Sequence, residues 1–463
     1  MTASGTHTGP HAGRGDASAA DDLDVEEALA LVRAPRSDRS DRTDRPAPSD
    51  RADQTARTTP AHPHDPATPW PEAREIAALA ARRATKRPAS VALADALGLV
   101  LAAPLDALSD LPSFDTSAMD GWAVAGPGPW RIRDGGVLAG HAPPEPLTDG
   151  EAVRIATGAR VPAGVTAVLR SEHGRTGPQD RLHATGETSH GQDIRPRGQE
   201  CRRGDQLLPT GTLVTPAVLG LAAAAGYDTL TVVPRPRAEV LVLGDELLTE
   251  GLPHDGLIRD ALGPMLAPWL RVLGAEVIAV RRLGDDAKAL RRAITASRAD
   301  LIVTTGGTAG GPVDHVHPTL ERIGAELLVD GVAVRPGHPM LLARTKADQY
   351  LVGLPGNPLA AVSGLLTLAE PLLRALAARP APEPYRTPLR EAVQGHAHDT
   401  RLVPVVLRGE QAVPLHYSGP AMLRGIATAD ALAVVPPGGA AQGADRELLD
   451  LPWDTAGIGV CFT

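Results

Sequence analysis

Leu301-Ile302-Val303-Thr304-Thr305-Gly306-Gly307-Thr308-Ala309-Gly310-Gly311 passes from an apolar run into a cluster of glycines, and helix-forming sequence resumes at Val316. A short apolar run closed by glycine reads as a buried strand. In an open α/β sheet, ligands bind at the carboxyl ends of strands, where glycines let backbone N–H groups approach a phosphate. The same turn serves equally as a ligand-free connection from strand to helix, so by itself it leaves both readings open. Asp314, near the start of the next helix, is either a simple cap or a carboxylate that holds Mg²⁺ against phosphate.

On either side, strand-like and helix-like segments alternate with short connections. Val240 to Leu243, Leu262 to Leu273, Val277 to Val280, Ala287 to Ala296, Val316 to Ile323, Tyr350 to Leu354 and Leu359 to Leu376 follow this rhythm. It predicts a parallel sheet with helices on both faces over residues 238–378. Leu243-Gly244-Asp245-Glu246-Leu247 ends the first of these strands and brings two acids to the same sheet edge, as a solvated turn or as a metal or hydroxyl ligand. Gly353-Leu354-Pro355-Gly356-Asn357-Pro358 follows another strand, and Asn357 is expected to cap the closing helix with Pro358 in its first turn.

Farther out the pattern changes. Residues 1–69 are rich in Thr, Asp, Arg, Pro and Ala, too polar to offset their ordering entropy, and are expected to be a disordered tail. Within them Asp24 to Arg33 could form a short solvated helix or a docking motif. Order is expected from Trp70-Pro71, with helical sequence at Ala73 to Ala84, Leu93 to Ala102 and Pro216 to Tyr227. These define a helical N-terminal domain over 70–110 and 213–237. Short β-like runs separated by Gly and Pro make 111–212 an inserted β-rich domain, and beyond a Pro-rich linker 386–463 reads as a small β-domain.

The whole chain of 463 residues is 43% hydrophobic, long enough for about three or four domains. Cys201 and Cys461 are too few and too far apart for a disulfide framework or a CxxC metal site. The N-terminus has no apolar core of signal-peptide type, no apolar stretch is long enough to span a membrane unbroken, and a formal charge of −9 carries no basic field for nucleic acid. A cytoplasmic protein that binds neither membrane nor nucleic acid is expected.

Two further turns are dense in polar groups: FDTSAMDGWAV (114–124), with Asp120, and IATGARVP (155–162), with Thr157. Together with RPRGQECRRGDQLLPTGT (195–212), LGDEL (243–247), TTGGTAGG (304–311), RPGHP (335–339) and GLPGNP (353–358), in this order, they resemble the molybdopterin molybdenumtransferases. This is the bacterial MoeA type, to which the C-terminal part of gephyrin is also similar. The resemblance covers about 70–455. It implies a central doubly wound α/β molybdopterin-binding domain, helical and β-rich N-terminal domains and a small C-terminal β-domain. It also implies a homodimer whose cleft lies between the α/β domain of one subunit and the β-rich insertion of the other, with molybdopterin adenylyltransferase as the upstream partner.

The implied reaction takes adenylylated molybdopterin and molybdate as substrates. It cleaves off AMP with Mg²⁺ assistance and leaves molybdenum on the dithiolene sulfurs. By position the resemblance assigns Asp120, Glu246, Asp285 and Asp314 to catalysis, with Glu246 and Asp314 at the metal. Substrate binding falls to Thr157, Gly306, Gly307, Thr308, Arg335, His338, Pro355, Gly356, Asn357 and Pro358.

Departures from the family pattern cluster at the anion pocket. Where Lys-x-x-x-Lys-Pro-Gly-Lys-Pro is usual, the chain reads Gly331-Val-Ala-Val-Arg335-Pro-Gly-His338-Pro. One fixed charge is lost and another is replaced by a histidine. Ala309, Leu262 and Ala360 stand where Ser, Asn and Ser are usual. The sequence therefore supports two functions: an active insertase with an altered anion pocket, whose molybdate rests mainly on Arg335, or a weakened paralogue that binds the pterin nucleotide or acts as a scaffold.

Overall fold

The structure, a computed structural model, describes residues 67–81, 87–141, 145–308 and 314–453. The expected tail up to residue 66, the Asp24 to Arg33 patch, Ala309 to Gly311 and Cys461 lie outside the described residues.

The alternating segments form a six-stranded sheet in the order Glu276–Leu283, Arg237–Leu243, Leu301–Thr305, Gln349–Leu354, Leu341–Lys346, Glu326–Asp330. The first four strands are parallel. Leu301–Thr305 and Gln349–Leu354 are buried along their whole length, as central strands covered on both faces must be. Successive side chains alternate between two cores. Val240, Val242, Leu301 and Val303 pack with Leu266, Trp269 and Leu270, whereas Leu241 and Ile302 pack with Leu290, Ile294, Val316 and Leu320. The helices Leu262–Val272, Ala287–Ala296 and Val316–Arg322 follow the expected spacing.

The sheet is not wholly parallel, as the sequence suggested. Leu341–Lys346 runs antiparallel to Gln349–Leu354, with Lys346 opposite Gln349, and Glu326–Asp330 is antiparallel to Leu341–Lys346. Only the two residues 347 and 348 join the first pair, a link too short for a parallel crossover. The closing segment Pro358–Leu376 is long and apolar enough to cross a membrane, yet most of it is buried against this sheet and serves as a core helix.

The N-terminal region departs from its expected helical character. The Trp70–Ala81 helix packs into the α/β core: the Trp70 indole N–H donates to the Thr367 hydroxyl at 3.0 Å, and the Tyr350 hydroxyl donates to the Ala80 carbonyl at 2.6 Å. Order also begins before Trp70, because Thr68–Pro69 pairs in parallel with Val332–Ala333. Leu93 to Ala102 is not a helix. The strands Ala89–Ala92 and Val100–Leu101 flank a short 3₁₀ turn and pair with Thr229–Val233. Ala and Leu are strong helix formers, but propensity amounts to only a fraction of a kcal/mol per residue, and pairing with Thr229–Val233 overrides it. Pro216–Ala225 is helical as expected, with the Thr215 hydroxyl accepting from the Val218 N–H and Gly226 ending it at φ 103°.

Two other sheets frame the chemistry. The β-rich part is a six-stranded sheet in the order Gly174–Thr176, Arg181–Ala184, Trp130–Val137, Glu151–Ile155, Gly121–Val124, Ala167–Arg170. The C-terminal strands Thr400–Arg408, Ala431–Val435, Asp445–Asp450 and Arg386–Pro388 share a sheet with Thr68–Pro69 and Val332–Arg335, which the sequence placed elsewhere.

Candidate functional site

Three parallel strands end side by side, and their exits enclose one pocket. It is lined by Leu243, Gly244 and Glu246 after the first strand, Gly284, Asp285 and Asp286 after the second, and Gly306, Gly307 and His315 around the third. Gly306 and Gly307 adopt φ of 75° and 67°, which turns the chain sharply at the sheet edge without Cβ strain. At Gly284 a Cβ would lie 2.3 Å from the Asp245 carboxylate, so a larger residue there would make the Asp245 side chain turn aside. Asp245 in turn accepts the Asp285 N–H at 3.3 Å. Asp286 caps the Ala287–Ala296 helix by accepting from the Lys288 N–H at 2.7 Å, and these backbone donors hold its carboxyl below the usual range.

That leaves Glu246 and Asp285 exposed on one rim, and among the described residues neither side-chain carboxylate makes a hydrogen bond or ion pair. Asp314 is differently engaged. It accepts the Val316 N–H at 3.0 Å, and its other oxygen lies 3.7 Å from His317, whose far ring nitrogen reaches Asp330 at 2.8 Å. Between these carboxylates the His317 pKa is pushed up to about 10. Asp314 thus ties down the entry to the Val316–Arg322 helix just behind Gly307, while Glu246 and Asp285 face the pocket. Among the described residues no three His, Cys, Asp or Glu side chains converge as a ready metal cage.

The Pro355 to Pro358 turn lies beside the same edge, with a Cβ at Gly356 falling 3.8 Å from the Gly306 Cα. Asn357 occupies the cap position of the closing helix, but its side chain does not cap it. Instead the Leu359 and Ala360 N–H groups donate to the Pro420 carbonyl at 2.9 and 3.2 Å. Those helix-start donors are therefore already used. Among the described residues the buried Thr308 hydroxyl has no hydrogen-bond partner.

Asp120 and Thr157 come together elsewhere, in the β-rich sheet, where both the N–H and the hydroxyl of Thr157 donate to one Asp120 oxygen at 2.7 and 3.0 Å. These two bonds hold the Asp120 carboxyl below its usual range. Neither residue lines the sheet-end pocket of its own chain. Arg335 and His338 also lie outside that pocket. The Arg335 Nε–H donates to Asp399 at 2.8 Å with half of the side chain exposed, and His338 Nδ1 lies 2.9 Å from the Val332 carbonyl. The sequence singled out Arg335 but missed Asp399, 64 residues away in a different strand region. It also missed Asp286, His315 and the His317 bridge, which carry no motif of their own.

Three stretches of the chain match known families in register with these features. Residues 68–226 match the MoeA N-terminal region (domain I and II), 239–375 the probable molybdopterin binding domain, and 386–450 the MoeA C-terminal region (domain IV). The chain is 35% identical over 381 residues to molybdopterin molybdenumtransferase 2 of Mycobacterium tuberculosis, covering 76% of this chain and 91% of that protein. It is 30% identical to the molybdopterin molybdenumtransferase of Nostoc sp., covering 84% and 95%. Among solved structures it is similar to the molybdopterin biosynthesis MoeA protein from Pyrococcus horikosii, with a TM-score of 0.69, 26% identity and coverage of 84% and 99%.

Proposed function

The chain belongs to the molybdopterin molybdenumtransferase family, with a role in molybdenum cofactor biosynthesis, and on that premise we propose that its sheet-end pocket receives the phosphate of adenylylated molybdopterin. Water cleaves the phosphoanhydride that joins AMP to the pterin's phosphate, so AMP leaves, and molybdate exchanges oxo groups for the two dithiolene sulfurs with release of water. The observation that carries this reading is the meeting of Glu246, Asp285 and the Gly306-Gly307 turn at one edge of the parallel sheet. An active enzyme is favoured over a binding paralogue because the acids facing the pocket are retained with no competing protein partner.

Two carboxylates on one rim suit Mg²⁺, which takes one or two protein carboxylates and completes its shell with water and substrate phosphate. Glu246 and Asp285 would hold it. When bound there, the ion would supply neutralising charge to the departing AMP phosphate. Asp314, held by His317 and the Val316 N–H, fixes the start of its helix behind Gly307. It acts through position more than by direct metal contact. Asp120 and Thr157 lie on a separate sheet, which supports a homodimer in which these residues from a second copy face the pocket. A molybdopterin adenylyltransferase is the reaction class that supplies the substrate.

The anion pocket differs from the expectation of a freely available Arg335. Its Nε is committed to Asp399, leaving the exposed terminal nitrogens for molybdate. Gly331 sits at φ +76°, so a lysine restored there would be strained, whereas His338 is half-buried with one ring nitrogen still to spare. Titrating molybdate in an AMP-release assay tests this. Arg335→Ala should raise the half-saturating molybdate concentration about tenfold, the value of a charged hydrogen bond. His338→Lys should lower it roughly threefold by adding fixed charge. Unchanged molybdate dependence in both variants would place molybdate elsewhere.

A further inference from the structure

The sheet-end pocket is richer in acid than a phosphate tolerates unaided, since Glu246, Asp285 and Asp286 all line it. Its backbone donors are also partly used: the Gly306 N–H goes to the Leu354 carbonyl at 2.8 Å. An anion placed there needs a donor from another wall.

His315 forms that wall. It is half-buried, and among the described residues its ring makes no hydrogen bond or ion pair. Its neighbours are all committed. Asp314 holds the Val316 N–H and faces His317, and His317 spans to Asp330. Of the described residues lining the pocket, His315 alone has a side chain carrying an N–H donor.

We propose that His315 is a phosphate-binding residue of this site, donating a ring N–H to the adenylyl phosphate of the substrate and to the phosphate of released AMP. The inference rests on the reading of the pocket given above and adds a donor that none of the family motifs contains. A neutral or protonated ring serves equally, because either form has an N–H to give. The ring supplies an N–H donor at the point where the ligand's charge is concentrated.

Isothermal titration of the full-length protein with AMP and, separately, with adenosine tests this. Adenosine has the same base and sugar but no phosphate, so it reports the fold and the rest of the pocket. His315→Phe keeps a ring and removes the N–H. It should weaken AMP about tenfold, the loss of one hydrogen bond to a charged group, and leave adenosine unchanged. His315→Lys should keep AMP affinity near that of the unaltered protein. If His315→Phe does not fold, His315→Ala gives the same comparison.

Equal AMP affinity in the altered and unaltered proteins would overturn the assignment while leaving the pocket's function intact. Parallel loss of AMP and adenosine would also overturn it, showing a structural role only. Failure of the unaltered protein to bind AMP would overturn the reading of the pocket itself, and this inference with it.

Discussion

Glu246→Gln slows single-turnover AMP release from adenylylated molybdopterin by about 100-fold, or roughly 2.7 kcal/mol of barrier. The substitution preserves shape and removes one charge. Glu246 follows the Arg237–Leu243 strand, is exposed at the pocket rim, and among the described residues its carboxylate has no hydrogen bond or ion pair. Its charge therefore serves no structural contact here, and little stability should be lost. Because Glu246 and Asp285 share one rim, the variant should also need more Mg²⁺ to reach its maximal rate. Unaltered single-turnover kinetics across a Mg²⁺ titration would remove Glu246 from the mechanism.

Trp70→Ala lowers stability by about 3–5 kcal/mol, the usual range for removing a large buried aromatic side chain. The side chain is 4% exposed within the main core. Its loss also strands the fully buried Thr367 hydroxyl, which accepts the indole N–H. In a unit of nearly 400 residues the melting temperature should fall by about 4–6 °C. Trp70→Phe keeps most of the burial and should cost about 1 kcal/mol, the hydrogen bond alone. A melting temperature within 2 °C of the original for Trp70→Ala would mean that the first helix is not part of the α/β core.

How far the chain could be read from its residues depended on the range of the interactions. Leu301 to Gly307 was legible because a buried central strand must be apolar and its exit must turn sharply, and both demands are local. Glu246 was legible as an acid at a sheet edge, where packing does not call for one. The edge hairpin was not legible, since Leu341–Lys346 is apolar enough to suit either a parallel or an antiparallel place, and only the two-residue link decides. The first helix was recognised but misplaced, because its partners Tyr350 and Thr367 lie almost 300 residues on.

At the site itself, local logic reached Asp314 as a cap or a ligand but not the bridge through His317 to Asp330, which depends on how a helix and an edge strand meet. Asn357 shows the opposite failure. Its position is a sound cap by sequence, yet the Pro420 carbonyl from a distant segment takes the N–H groups. The changed lysines of the anion pocket were legible as losses of charge. That Arg335 is shared with Asp399 was not.

The most direct test of the account is to incubate the full chain with adenylylated molybdopterin, molybdate and Mg²⁺, and to measure released AMP and pterin-bound molybdenum in the same sample. An active transferase with an altered anion pocket yields the two in equal amounts, with neither formed when molybdate is omitted. Tight binding of the adenylylated pterin with no AMP released and no molybdenum incorporated, even at millimolar molybdate, would contradict it and identify the chain as a binding paralogue.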